Sequence, residues 1–257
     1  MTPEIVGYAS PPDQLARMAD LRRGVRKARK IRRVLEAELG PAPWPRLRGL
    51  DVGCGPGTIT AYLAKLSGAF VGVDVDEAAL ALARDRFGAA NVEFRLISSP
   101  ALPFAEEAFD VVVLNHVYEH VADVRKLFAE VRRVLRPAGR VYLAAAGKYQ
   151  VVEPHYYLPF LSWLPPRAAT AYLKLSGRGR RYDVRLLSYR RLRRLLAPFE
   201  VKEYTAAVVA DAAKFAAEEA LPPGRALRGA LAAAVRLAPG LAPTRIFVLR
   251  KRVDASL

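Results

Sequence analysis

From residue 47 to residue 146 the chain alternates short, almost wholly apolar runs with stretches of helical periodicity, and this rhythm narrows the available folds more than any other feature. The runs Leu47 to Val52, Phe70 to Val75, Val92 to Ile97, Phe109 to Leu114 and Arg140 to Ala145 read as strands. Thr58 to Leu66, Glu77 to Phe87 and a segment near Val121 to Leu135 read as helices between them. A strand that is apolar on both sides must be covered on both faces, so the pattern predicts a parallel α/β sheet with helices above and below. At 257 residues and 52% apolar content, the chain can bury one sizeable core and a smaller appendage, which excludes global disorder.

The flanking regions keep a different rhythm. Met18, Leu21, Val25, Ala28, Leu35 and Leu39 recur at helical spacing from Leu15 to Leu39 with bases elsewhere, predicting a basic amphipathic helix that Pro41, Pro43 and Pro45 terminate. This divides the chain into an N-terminal helix, 1–45, and a larger domain, 46–257. After Ala146 a stretch rich in Tyr, Pro and Arg, 147–187, reads as a lid insertion. A helix follows from Ser188 to Leu196, then a strand near Val201 to Val209, an Ala-rich helical insertion at 211–243 and a last strand, Thr244 to Arg250.

The segment Asp51-Val52-Gly53-Cys54-Gly55-Pro56-Gly57-Thr58 ends a strand and opens a helix. Glycines there let the backbone approach a ligand, and the helix start offers N–H groups to an anion. The next strand ends in Asp74, where a carboxylate can accept both hydroxyls of a ribose. A dinucleotide fingerprint would need glycine at position 58, where Thr58 stands. With its G-x-G-x-G spacing the loop resembles that of the class I S-adenosylmethionine (SAM) dependent methyltransferases, in particular the type 11 group that includes quinone-biosynthesis enzymes. Gly72-Val73-Asp74, Leu102-Pro103-Phe104 with Phe109-Asp110-Val111-Val112-Val113, Glu119-His120-Val121, and Val134-Leu135-Arg136-Pro137-Ala138-Gly139-Arg140 resemble that group's further motifs.

The resemblance implies a Rossmann-like three-layer sandwich with a mostly parallel seven-stranded sheet whose last strand is antiparallel, and SAM as cofactor. It implies that Gly53, Gly55 and Gly57 line the cofactor, that Asp51 supports the loop, that Asp74 holds the ribose and that Asn115 faces cofactor and acceptor. Where relatives carry an acid for the adenine amino group, Ser98 and Ser99 stand here and offer hydroxyls instead.

Cys54 reads as a small side chain packed under the glycine turn, and Asp76 as a helix cap. His116-Val117-Tyr118-Glu119-His120 matches the H-x-x-E-H of a zinc-peptidase family, but it coincides with the E-H-V signature and lacks the two helices of such enzymes. No metal is expected; His116, Glu119 and His120 are the residues that would hold one. His155 and His116 are candidate catalytic bases, since imidazole titrates near neutrality.

Formal charge is +16, and two segments carry all of it: 17–33 and 174–194 each hold nine bases against one acid, while the rest is neutral. Both segments lie outside the cofactor core, so the charge reads as a property of the acceptor side, suited to a phosphorylated or membrane-associated substrate. The aromatic stretch from Tyr157 to Pro166 reads as the roof of an acceptor pocket and also suits a membrane interface. A single cysteine excludes a disulfide framework and fits a reducing cytoplasmic setting; no secretory signal or spanning segment is expected. The reading is SAM-dependent methyl transfer, at oxygen ahead of nitrogen or carbon, to a small or lipid-linked acceptor. The alternatives are an RNA methyltransferase using the basic segments, with nucleic acid the lesser expectation, and a non-catalytic SAM-fold binding subunit.

Overall fold

A computed structural model of the protein describes residues 15–252 apart from 17, 42, 89, 90, 99, 100 and 183. Arg17, Ser99 and Asp183 therefore lie outside the described residues. The chain enters through helix α1 (Leu21–Leu39) and then alternates strand and helix: β1 (Arg48–Val52), α2 (Thr58–Ala64), β2 (Ala69–Asp74), α3 (Glu77–Phe87), β3 (Val92–Leu96), β4 (Phe109–Asn115), α4 (Val124–Val134) and β5 (Leu135–Ala146). A hairpin of β6 (Val152–Glu153) and β7 (Leu158–Pro159), then α5 (Pro166–Leu175), occupies the lid region. The remainder is α6 (Tyr189–Leu195), β8 (Phe199–Glu203), α7 (Thr205–Ala210), α8 (Arg225–Leu237) and β9 (Thr244–Lys251).

Seven strands form one sheet in the order β3-β2-β1-β4-β5-β9-β8, in which β9 runs antiparallel to both neighbours and the others are parallel. The alternation along β4 shows why two helical layers are required. Val111 and Val113 join the apolar cluster beneath α1, α2 and α7, whereas Val112 and Leu114 join the one beneath α4 and α6. Strand order reverses between β1 and β4, and in open α/β sheets that is where the carboxyl ends leave a ligand crevice.

The structure departs from the expected elements in three places. The helix expected from Leu15 is interrupted before Leu21, because the Asp20 carboxylate caps α1 by accepting from the N–H groups of Arg22 and Arg23 at 2.9 and 3.2 Å. The strand expected over Val201 to Val209 stops at Glu203, and Thr205–Ala210 is helical. Short apolar runs do not distinguish a buried strand from a buried helix. Thr205 settles the matter locally: its hydroxyl accepts from the Ile246 N–H at 3.0 Å, in place of a further backbone rung between β8 and β9. Thirdly, β5 begins at Leu135 rather than Arg140 and crosses a register shift opposite Phe109 and Val111. Gly139 permits this, since a Cβ there would stand 2.9 Å from the Asp110 carbonyl oxygen.

Helix α1 shares its core with the sheet: Ile31, Val34 and Leu35 pack with Leu63, Phe70 and Tyr142. The connector after α1 is thus a turn between packed elements and not a break in the core. Within 211–243 the chain forms turns and α8, and the end of this segment is fastened by Arg245, which is fully buried in β9. Its Nε and Nη2 donate to the carbonyls of Pro239 and Gly240 at 3.2 and 3.1 Å, and its guanidinium lies over the Tyr189 ring.

Candidate cofactor and acceptor site

The glycine loop is a backbone structure that no other residue types would allow at its key positions. Gly53, Gly55 and Gly57 all have positive φ, at +69°, +51° and +76°. The N–H groups of Gly53 and Cys54 both donate to the Val73 carbonyl, at 2.8 and 3.1 Å, which hangs the loop on the end of β2. A Cβ on Gly57 would meet the Phe94 ring at 2.6 Å and Ala83 at 2.8 Å, so close helix-to-sheet packing needs glycine there as well.

Two carboxylates organise this loop. Asp74 accepts from Gly55 N–H through Oδ2 at 2.6 Å and from the Val75 and Asp76 N–H groups through Oδ1 at 2.7 and 3.0 Å. Burial raises its pKa, and those three donors oppose the rise. Asp74 thus holds the loop in place; Oδ1 already accepts two N–H groups, while Oδ2 accepts one and keeps a lone-pair direction for a further donor. Asp51 is buried beneath and accepts the Thr60 hydroxyl at 2.7 Å; burial pushes its pKa up to about 7, with the Asp74 charge adding to the rise. Cys54 packs with Leu80, Ala83 and Phe94, and burial pushes its thiol well above the usual range, as a packing residue requires. Asp76 caps α3 by accepting from Ala78 and Ala79 at 3.1 and 3.2 Å.

Three contacts here escaped the sequence pattern. A Cβ on Gly55 would lie 2.8 Å from the methyl of Met18, so the turn before α1 covers the loop. Arg86 holds that turn by donating to the Ala19 carbonyl at 3.1 Å. Val117 stands over Gly53, 2.7 Å from where a Cβ would be. In the sequence Met18 was only one member of the apolar stripe, and nothing in the pattern marks Val117 or Thr60 as partners of residues so far along the chain.

Val117 belongs to the turn that also carries His116, Glu119 and His120, directly after β4. The chain has three histidines, and the fold brings all of them to this part of the sheet's carboxyl edge. His120 and His155 meet edge to face with ring centroids 5.1 Å apart. His155 Nδ1 lies 2.5 Å from Glu153 Oε1, while Glu153 Oε2 accepts from the His155 and Tyr156 N–H groups at 2.9 Å each. His116, at φ +59°, places Nδ1 3.3 Å from Glu119 Oε1. Glu153 and Glu119 are both fully buried. Burial alone would raise Glu119, but the His116 bond and the two imidazoles outweigh it and lower its pKa. Glu153, silent in the sequence, is the residue that orients His155.

The other expected residues fall as follows. Asn115 closes β4 in register with Ala144, half-buried beside the crevice. Ser98 is exposed beyond the end of β3, and Ser99 is outside the described residues. His116, Glu119 and His120 do come together, yet among the described residues no group of three His, Cys, Asp or Glu side chains is arranged to hold a metal ion.

The basic segments do not gather on one side. Arg22, Arg23, Arg26 and Arg29 line the outer face of α1, and Lys27, half covered there, has its pKa lowered to about 8 by burial and by Arg23 and Lys30. Helix α6 carries Arg193 and Arg194 to the amino ends of the strands, where with Arg252 they line a cleft of about 360 Å³ over Phe199. The expectation that both segments serve the acceptor side is therefore corrected for α6: its last turn points away from the glycine loop. No helix among the described residues is long and apolar enough to cross a membrane.

Comparison with known proteins agrees with this geometry. Residues 50–143 match the family described as "Methyltransferase domain". Over 140 residues the chain is 34% identical to a ubiquinone biosynthesis O-methyltransferase of Sinorhizobium fredii, covering 52% of this chain and 56% of that one. The chain thus spans about half the length of the curated relatives it matches. Among solved structures, a SAM-dependent methyltransferase from Thermotoga maritima, described as a possible histamine N-methyltransferase, superposes with a TM-score of 0.54 at 18% identity, over 93% of this chain and 96% of that one. Geranyl diphosphate C-methyltransferase from Streptomyces coelicolor, solved with Mg2+, geranyl diphosphate and S-adenosyl-L-homocysteine, superposes with a TM-score of 0.52 at 17% identity, over 81% of this chain and 73% of that one.

Proposed function

We propose, from the match of residues 50–143 to the methyltransferase-domain family, that this chain transfers the methyl group of SAM to a hydroxyl of a small or lipid-linked acceptor. The observation that carries the reading is the loop of three positive-φ glycines tied to Asp74 by Gly55 N–H, set beside the histidine cluster by the Val117–Gly53 contact. The residues present fit the cofactor. The glycines leave a cradle that side chains would fill, and Asp74 supplies the acceptor that ribose hydroxyls need. Bound SAM would supply a methyl group on a sulfonium, already electrophilic without further activation.

What remains for the protein is alignment, exclusion of water and removal of a proton. Gly53, Gly55 and Gly57 shape the cofactor cradle. Glu153 Oε1 accepts from His155 Nδ1, which selects the tautomer whose basic atom is Nε2. That nitrogen takes the acceptor's hydroxyl proton as the oxygen becomes methylated. Oxygen as the target and a lipid-linked acceptor are supported by the curated relatives, which are named O-methyltransferases of ubiquinone biosynthesis, and by the apolar lid.

Calorimetric titration with SAM tests the cofactor half. The expected result is binding by the wild-type protein and at least about a hundredfold loss for Asp74→Ala, through a lost charge-assisted hydroxyl bond and a released loop. No binding by the wild type would refute it. Labelled SAM added to a cell extract that is then separated into lipid, RNA, protein and small-molecule fractions tests the acceptor half: label in the lipid or small-molecule fraction is expected, and label in RNA or protein alone would refute it.

A further inference from the structure

Two clefts meet where α4 and α6 reach the amino ends of the strands. The cleft of about 360 Å³ between Arg193, Arg194 and Arg252 adjoins a second, of about 460 Å³, that runs between the two helices. The second is lined on α4 by Arg125, Phe128, Ala129 and Arg132, whose spacing puts them on one helix face about 10 Å long. Arg194, Ala197 and Phe199 belong to both clefts, so the two form one continuous hollow. Its floor is apolar: the Phe128 and Phe199 rings meet edge to face with centroids 6.4 Å apart, and each shows only an edge at the surface, at 3% and 1% exposure. Volumes of this order suit a small organic ligand.

Five arginines rim this hollow, from α4, from α6 and from the end of β9, and no acid lines either cleft. Other cations at the same edge are neutralised: Arg133 by Glu130 at 2.8 Å, Arg136 by Asp110 at 2.7 Å and Lys251 by Glu107 at 3.1 Å. Arg125, Arg193, Arg194 and Arg252 form no ion pair among the described residues. The acids beside them in the chain are engaged elsewhere, Glu200 with Arg250 at 4.0 Å and Asp123 as the cap of α4, accepting from Lys126 N–H at 3.0 Å. Gathered like charges work against the compact state, and a bound anion relieves that repulsion. A second copy of this chain would set five cations against five. RNA would find no ring face on which a base could stack. The arginines converge from three elements on the turn at Ala197, which suits a compact ligand better than an extended acidic segment.

We propose that this hollow binds a small organic phosphate with an apolar body, the phosphate among Arg193, Arg194 and Arg252 and the body over Phe128 and Phe199 along α4. Guanidinium forks match phosphate oxygens two at a time, and the stems of Arg125 and Arg132 add apolar wall beside the rings. The site stands apart from the cofactor reading, since none of its lining residues belongs to the glycine loop or to the histidine cluster.

Calorimetric titration with 1-naphthyl phosphate tests it, on the wild type and on Arg193→Gln with Arg194→Gln. The wild type is expected to bind with a Kd below about 1 mM, and the double variant, short of two charge-assisted contacts, at least about tenfold more weakly. Inorganic phosphate should also bind at least about tenfold more weakly than the naphthyl ester, since it leaves the apolar floor uncovered. No binding of naphthyl phosphate by the wild type would overturn the proposal, as would binding that the double variant leaves unchanged or that excess SAM displaces. Inorganic phosphate binding as tightly as the naphthyl ester would reduce the surface to charge alone and overturn it too. Tighter binding of a polyglutamate peptide, lost in the same variant, would overturn it in favour of an acidic protein segment. Thermal melting of the double variant checks its fold. If it melts early, Arg125→Gln and Arg252→Gln, made singly, repeat the test from the other two elements. Failure of SAM to bind the wild type would refute the methyltransferase reading and leave the naphthyl phosphate result standing.

Discussion

Asp51→Asn separates the electrostatic role of the buried aspartate from its hydrogen bond. An acid whose folded pKa is raised from 3.8 to about 7 binds more protons folded than unfolded. Its ionisation therefore works against the fold: the cost is absent below about 3.8, grows between 3.8 and 7, and is fully present above 7. At about 1.4 kcal/mol per pH unit the ceiling is about 4 kcal/mol. Asparagine keeps an oxygen for the Thr60 hydroxyl but brings a buried NH2 whose unmet bonds cost about 1–3 kcal/mol. The variant should thus lie within about 1 kcal/mol of the wild type at pH 5, where ionisation already costs about 1.7 kcal/mol, and be about 1–3 kcal/mol more stable at pH 8. For a chain of this size that gain is a rise in Tm of roughly 2–10 °C. Urea unfolding at the two pH values measures the difference. If wild type and variant change by the same amount between pH 5 and 8, Asp51 does not titrate as its burial requires and the reasoning fails.

Other perturbations follow from the same geometry. Gly57→Ala forces a side chain into the left-handed region and against Phe94 and Ala83, so it should cost about 2–4 kcal/mol and be seen as an earlier thermal transition. His155→Gln should lower kcat by about 10²–10⁴ with SAM affinity unchanged in calorimetry, since the base acts on the acceptor and not on the cofactor. Glu153→Ala removes the carboxylate that accepts from the His155 and Tyr156 amides; hydrogen exchange at these two amides should rise at least about tenfold while the sheet stays protected.

The parallel sheet was legible because both-sided burial writes itself into β1, β2 and β4 as nearly unbroken apolar runs, and the glycine loop because only glycine serves at three positive-φ positions so close together. A cap was legible too: Asp76 stands just ahead of its helix, as expected for Asp at an N-cap, and its carboxylate accepts from the first turn. What the sequence hid depends on approach in space. Thr205–Ala210 reads as strand or helix until the bond from Ile246 is seen, and Glu153 looks like one surface acid in a loop until the hairpin folds it beneath His155. The meeting of His116, His120 and His155 joins two turns at the carboxyl edge, and no periodicity encodes it. Charge misled for a related reason: α6 is short, yet it crosses from Tyr189 at the carboxyl edge to Arg194 at the amino edge, so one basic segment serves two opposite ends of the molecule.

The Met18 methyl over Gly55 makes the turn before α1 a door as well as a wall. A molecule bound on the glycine loop is shut in by one flexible thioether, with Asp20 as the hinge post and the Arg86–Ala19 bond as the latch. Were exchange on the loop to require that turn to open, the Arg86–Ala19 bond would time it. The pace of turnover would be governed at a point with no role in the chemistry, and Arg86→Ala should quicken cofactor release in stopped-flow displacement without altering the loop itself.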